Sequence, residues 1–362
     1  MVFMAGMWLG RVGDGGVWTG APWVRNCFAI FWLAALSMLT ACGRSGEAVV
    51  AIALHPMEAN ILYVVTHNAV LKTLDGGVEW HRIFTGMSQS RVLALGIDPT
   101  ASATIFLGTK DDGVYMSYDG GRHWLPRRTG LDDVRVTAEV QQVVFVPVAP
   151  TRVFLATAMG VFESGDGGVN WRKRMAGITD VLMVTTLAVD PGRPLIMYAG
   201  TSSGIYKTSD GARTWQAANT GLIPAHRVTS SRALGVMALA VDPQRQETLY
   251  AGTLDGLYKT VDGGRLWNRI GADLSDQFIS AIGLDPAHPE ILYVGGRAGI
   301  FKSQDGGLTW EPRNDGLTNR NVLSLAISQA SPALLYVGTN GGGLFRSRNG
   351  AVTWESVSLT GR

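Results

Sequence analysis

From Ala48 onward the chain alternates short apolar runs with turn residues, and no stretch shows the period of an amphipathic helix. The segment 236–270 shows the unit. Val236-Met237-Ala238-Leu239-Ala240-Val241 reads as a first strand, closed by the turn dipeptide Asp242-Pro243. Leu249-Tyr250 opens a second strand, Gly256-Leu257-Tyr258-Lys259-Thr260 is a third, and Leu266-Trp267-Asn268-Arg269-Ile270 a fourth. Second strands of the same kind recur at Ile61–Val64, Ile105–Leu107, Val153–Leu155, Ile196–Tyr198, Leu292–Val294 and Leu335–Val337. His55-Pro56, Asp98-Pro99, Asp190-Pro191 and Asp285-Pro286 mark turns ahead of several of them.

Between the third and fourth strands lies a repeated eight-residue turn. Its clearest copy is Ser303-Gln304-Asp305-Gly306-Gly307-Leu308-Thr309-Trp310, and six others begin at Thr73, Ser117, Ser164, Thr208, Thr260 and Ser347. The central residues are Asp75, Asp119, Asp166, Asp210, Asp262, Asp305 and Asn349, spaced 44, 47, 44, 52, 43 and 44 positions apart. The chemistry is that of a tight turn. The acid accepts backbone N–H groups one or two residues on, Gly supplies positive φ, and Ser or Thr adds a local bond. Trp then starts the next strand with a large apolar face. Nothing in the motif is catalytic; the six Asp and Asn349 read as structural.

Four short strands in about 44 residues is the period of a propeller blade. The sequence therefore predicts an all-β fold: a seven-bladed β-propeller of four-stranded antiparallel blades spanning 48–362. Each blade comes from one continuous segment, so closure needs no strand exchanged between the chain ends.

The residues before Ala48 read differently. Arg25 precedes the apolar run Phe28–Leu39, which is too short to span a bilayer and reads as the core of a secretory signal. Leu39-Thr40-Ala41-Cys42 resembles the bacterial lipobox, which implies cleavage before Cys42 and lipidation of that residue. The expected organisation is a lipoprotein-type signal peptide at 1–41, a tether at 42–47, and the propeller. The expected location is extracytoplasmic and membrane-anchored, in the periplasm or at the outer membrane.

Composition narrows the function. Gly makes up 46 of 362 residues, above the usual ~7%, as many turns require. The net charge of +2 gives no reason to expect nucleic acid as a partner. Cys27 and Cys42 are the two cysteines, and the six His show no ligand spacing, so no metal or other cofactor is expected. Of 11 Trp, four precede Cys42 and the other seven are the turn Trp, while the Tyr fall in strands or in the turn. Aromatic platforms for sugars or bases are thus spent on the scaffold.

The repeated turn resembles the Asp-box, or BNR repeat, of sialidases, family 74 xyloglucanases, sortilin-type receptors and the photosystem II stability and assembly factors. Seven copies in a compact chain are most similar to the assembly-factor family. That resemblance implies a non-enzymatic, protein-binding propeller with an arginine-bearing face, whose partner in a photosynthetic host is a photosystem II subunit. In these families the boxes lie away from the active site. Sialidases need an arginine triad and a Tyr nucleophile, and neither an Arg-Ile-Pro element nor an unassigned Tyr is present.

The links from fourth to first strands and the second-to-third hairpins emerge on one face. They carry Arg91, Arg135, Arg227, Arg232, Arg297 and Arg320, the candidate partner-binding residues. The longest spacing, between Asp210 and Asp262, places an insertion with Arg227 and Arg232 on this face. The same loops carry Asp111, Asp112, Asp132, Asp133, Asp255 and Asp276. An alternative function is therefore a glycoside hydrolase, xyloglucanase- or sialidase-like, working through two loop carboxylates. The expected state is a monomer.

Overall fold

The computed structural model describes residues 47–84, 90–131, 139–146, 151–179, 183–222 and 235–360. The segment expected to be a signal peptide, with Cys42, lies outside these residues. The described chain forms seven four-stranded antiparallel sheets, each ordered as its strands occur in sequence. The innermost strands are β1 (Val49–Leu54), β5 (Val92–Ile97), β9 (Val140–Val146), β13 (Val184–Val189), β17 (Val236–Val241), β21 (Ile279–Leu284) and β25 (Val322–Ile327). Each touches the next, and β25 touches β1, so the sheets close into a ring. The expectation of seven blades holds, and every blade uses consecutive strands. In blade 5, β17 is followed by β18 (Leu249–Thr253), β19 (Gly256–Thr260) and β20 (Asn268–Ile270).

The sequence explains why these strands form blades. Second strands such as β18 are buried along their whole length and read as continuous apolar runs, because neighbouring blades cover both faces. Outer strands are short and exposed; the blade 2 copy is Leu125–Pro126. Short edges with Pro or charged residues resist further strand addition. A register shift recurs near the start of each inner ladder, as between Val236 and Ala238, and the resulting bulge sharpens the twist.

The core is divided among the seams rather than gathered at one centre. One cluster joins Val49, Leu62 and Trp80 of blade 1 to Tyr336 and Leu344 of blade 7. At this closure Gly338 admits the neighbouring inner strand: an added Cβ would lie 2.5 Å from Val49 Cγ1.

Polar bonds fix the angle between blades. The indoles of Trp171, Trp215, Trp267 and Trp354 donate to carbonyls of Arg127, Arg174, Ala218 and Arg313 in the preceding blade, at 3.1, 3.1, 2.9 and 2.8 Å. In the opposite direction, Tyr198 and Lys207 of blade 4 donate to the carbonyl of Gly263 in the blade 5 turn, at 3.1 and 2.8 Å. Tyr336 and Arg346 do the same to Gly76 and so close the ring without strand exchange.

A second repeated feature escaped the sequence reading. Six residues after Trp124, Trp171, Trp215 and Trp310 come Gly130, Gly177, Gly221 and Gly316, each followed by a buried Leu or Ile. At Gly316 the backbone has φ +81 and an added Cβ would lie 2.0 Å from the carbonyl oxygen of Trp354. The link is pressed flat against the next blade, and only Gly fits. The signal was present in the sequence as a fixed offset from Trp, but its cause lies in the following blade.

Candidate functional site

The repeated turns sit between third and fourth strands, on the face opposite the arginines. In the sixth turn Ser303 Oγ donates to Asp305 Oδ1 at 2.8 Å and accepts the N–H of Gly307 at 2.8 Å. The N–H groups of Leu308 and Thr309 donate to Asp305 Oδ1 at 3.0 and 2.9 Å. The carboxylate thus reaches three and four residues ahead, not one or two as the sequence reading expected. The reason is the pair Gly306 and Gly307, at φ +71 and +91, which turns the chain back over the acid. Asn349 reproduces the arrangement, accepting from Thr353 N at 3.0 Å.

These bonds favour the ionised carboxyl. The hydroxyl of Thr309, its backbone N–H and Ser303 hold Asp305 down at about 2. Burial works against Asp166, yet bonds from Asn170 and Ser164 lower it to about 2. Asp75, held mainly by Thr73, and Asp262, held mainly by Thr260, lie below the usual carboxylate range. Asp119 is lowered chiefly by bonds from His123, and Asp210 by bonds from Thr214. Acids held this way stay ionised near neutrality. A second set, Asp98, Asp190, Asp242 and Asp285, closes the first-to-second strand turns; Asp242 Oδ1 accepts Gln244 N and Arg245 N, both at 2.9 Å.

The other face carries the candidate binding residues. Arg91, Arg297 and Arg320 are exposed there. Arg297 tops the blade 6 hairpin and Arg320 lies on the link from blade 6 to blade 7. Arg91 lies two links further round, before β5. Their side chains form no ion pair with the described residues. The Arg297 guanidinium stacks 5.1 Å from the ring centre of Phe278, which holds it in place. Phe278 was missed because the aromatic reading weighed Trp and Tyr alone. Beside Arg91, burial and then the Arg91 charge lower His67, with Glu47 opposing. Arg135, Arg227, Arg232, Asp132 and Asp133 lie outside the described residues.

Four carboxylates of this face are held by cations. Asp112 pairs with Arg128 at 2.6 Å, and Arg269 reaches Asp276 at 3.3 Å and Asp255 at 3.8 Å. Glu139 lies 3.9 Å from Lys110, and burial raises it above the ordinary carboxyl range. Among the described residues no group of His, Cys, Asp and Glu could hold a metal ion. None of their helices is long and apolar enough to cross a membrane.

This architecture occurs in solved structures of several kinds. The chain shares its fold with YCF48 and with a family 74 xyloglucanase. YCF48 bound to a D1 peptide aligns with a TM-score of 0.64 at 15% identity, over 84% of this chain and 92% of that one. YCF48 from Cyanidioschyzon merolae gives 0.61 at 14%, over 84% and 96%. The GH74 xyloglucanase from Xanthomonas campestris gives 0.60 at 20%, over 87% of this chain but 61% of that one. At such identities the likeness is one of fold. No family model matches the sequence, and no curated protein does.

Proposed function

We propose that this chain is a lipid-anchored, extracytoplasmic scaffold that holds a protein partner on its arginine-bearing face and performs no catalysis. One observation carries the reading. On that face Asp112, Glu139, Asp255 and Asp276 are held by cations, while Arg91, Arg297 and Arg320 are exposed and without an ion-pair partner among the described residues. Guanidinium groups left in this state suit carboxylates of a partner, which they can bind through two parallel hydrogen bonds.

Other features support the reading. A solved neighbour, YCF48, binds a peptide of D1. The repeated turns resemble the Asp-box, and the chain spans most of the length of the YCF48 structures. We place the chain near the photosystem II assembly factors, with a photosystem II subunit as partner in a photosynthetic host. Arg135, Arg227 and Arg232 belong to the same patch in this reading. Cys42, with the lipobox-like residues before it, supplies the anchor, and the mature protein is a monomer.

The test combines purification and assay. Mature protein retrieved from native membranes should bring one protein partner with it, and purified protein should release no sugar from xyloglucan or sialosides. Turnover of either substrate overturns the reading.

A second reading, a glycoside hydrolase, has Glu139 in its favour. Its raised carboxyl would suit a general acid. A Glu139→Gln variant with unchanged activity on any glycan cleaved by the wild type removes that support.

A further inference from the structure

Among the described residues, one cation bond recurs at every seam between blades but one. In six of them a cation from one blade donates to the carbonyl of the first glycine in the next blade's turn. Lys72 reaches Gly120, Lys207 reaches Gly263, Lys259 reaches Gly306 and Lys302 reaches Gly350, at 3.0, 2.8, 2.7 and 3.2 Å. Arg346 reaches Gly76. Between blades 3 and 4 the role passes to Arg152, which donates to Gly211 at 2.9 Å and is steadied by the buried Glu163.

Among the described residues the seam between blades 2 and 3 has no such bond. Phe106 and Met116 face each other where blades 1, 4, 5 and 6 carry Tyr opposite Lys and blade 7 carries Tyr336 opposite Arg346. Among the described residues no side chain reaches the carbonyl of Gly167. Phe106 packs instead against Gly168, with its ring 5.5 Å from Phe145 and 6.4 Å from Trp171. At the arginine-bearing end of this seam Lys110 of blade 2 stands 3.9 Å from Glu139 of blade 3, whose Oε2 is buried without a hydrogen bond from the described residues.

The two kinds of seam respond differently to strain. Parting a latched seam pulls a cation off a carbonyl before water can replace either, so its cost rises at the first displacement. Apolar surfaces have no preferred direction and part gradually, in proportion to the area exposed. We propose that the ring opens at the seam between blades 2 and 3, which serves as the propeller's built-in point of yielding.

The amides of Trp171, Trp267 and Trp354 report this directly, because each of the three bonds across its seam. Trp171 N donates to Thr129 O at 2.8 Å, Trp267 N to Thr220 O at 2.9 Å, and Trp354 N to Asp315 O at 2.8 Å. In native-state hydrogen exchange the amide of Trp171 should exchange at least tenfold faster than those of Trp267 and Trp354. Phe106→Tyr with Met116→Lys installs the missing pair and should slow Trp171 to the level of Trp267, leaving Trp267 unchanged. The reverse variant, Tyr198→Phe with Lys207→Met, removes a latch from the seam between blades 4 and 5 and should speed Trp267 alone. Equal exchange of Trp171 and Trp267 in the wild type overturns the proposal. So does a Trp267 amide unmoved by the reverse variant, whether or not the first variant folds.

Discussion

Tyr250 and Lys259 stand directly opposite each other on β18 and β19, and both donate to the carbonyl oxygen of Gly306 in the next blade, at 3.1 and 2.7 Å. The ammonium also lies 5.3 Å from the centre of the Tyr250 ring. One acceptor thus serves two donors that come from adjacent strands of the neighbouring blade. Deleting one donor leaves the carbonyl satisfied by the other; deleting both leaves it buried and unpaired.

Tyr250→Phe and Lys259→Met should therefore each lower stability by about 1 kcal/mol, with the double variant costing roughly 1 kcal/mol more than their sum. Urea denaturation of the four proteins gives the coupling. Simple additivity would show that the two donors do not share the acceptor in solution.

The same phenols make the ring sensitive to alkali. Burial pushes Tyr63, Tyr250 and Tyr293 up to about 12 from 10.0, and it raises Tyr198 and Tyr336 as well. Above pH 10 the unfolded chain gives up these protons while the folded chain keeps them, so stability falls as pH climbs from about 10 to 12. Burial lowers Lys72, Lys259 and Lys302, which act in the opposite sense below 10.5. Urea midpoints should hold until about pH 10.5 and then drop. A Tyr250→Phe variant should drop less steeply.

Acid acts through the turns. The unfolded chain protonates its aspartates near the ordinary 3.8, whereas Asp166 and Asp305 hold off to about 2. Their contribution is complete above about pH 4 and is lost as pH falls through 2. Tryptophan fluorescence should report unfolding in that window. Asp305→Asn should be nearly silent at neutral pH, since Asn349 already closes a turn of this kind, and should flatten the acid response. Asp305→Ala should cost about 1–2 kcal/mol at neutral pH, because two backbone N–H groups lose their acceptor.

Two glycines separate strain from collision. Gly316 and Gly343 have similar φ, +81 and +79, but a Cβ at Gly316 would strike the Trp354 carbonyl and one at Gly343 would meet nothing within 4 Å. Gly343→Ala should cost about 1 kcal/mol from the backbone alone. Gly316→Ala should cost about 3 kcal/mol, since the link must also move off the next blade. Thermal melts of both variants check the difference.

Blade number, strand order and the closed turns were legible in the sequence because each depends on residues within one repeat. Asp305 bonds Leu308 and Thr309, and its period with Asp262 and Asn349 is visible in the chain itself. The seams were not legible. Tyr250 and Lys259 read as ordinary strand residues, and their shared acceptor lies more than a blade away in sequence. Gly316 follows the same rule: its reason is the backbone of Trp354. The arginine-bearing face was legible as a set of loops, which located Arg91, Arg297 and Arg320, but not the stacking of Arg297 on Phe278. That contact joins a hairpin to a link whose approach only the folded ring sets.

The arginine face is the central claim, and one comparison tests it most directly. Wild-type protein and the variant Arg91→Glu, Arg297→Glu, Arg320→Glu are used at equal concentration to retrieve partners from native membranes, with retrieved proteins counted by quantitative mass spectrometry. The substitutions are at exposed positions, so the melting temperatures should agree within a few degrees. The account predicts that a dominant partner of the wild type falls at least tenfold in the variant, and that added salt weakens the wild-type capture. An equally stable variant that retrieves the same partner in full yield contradicts it.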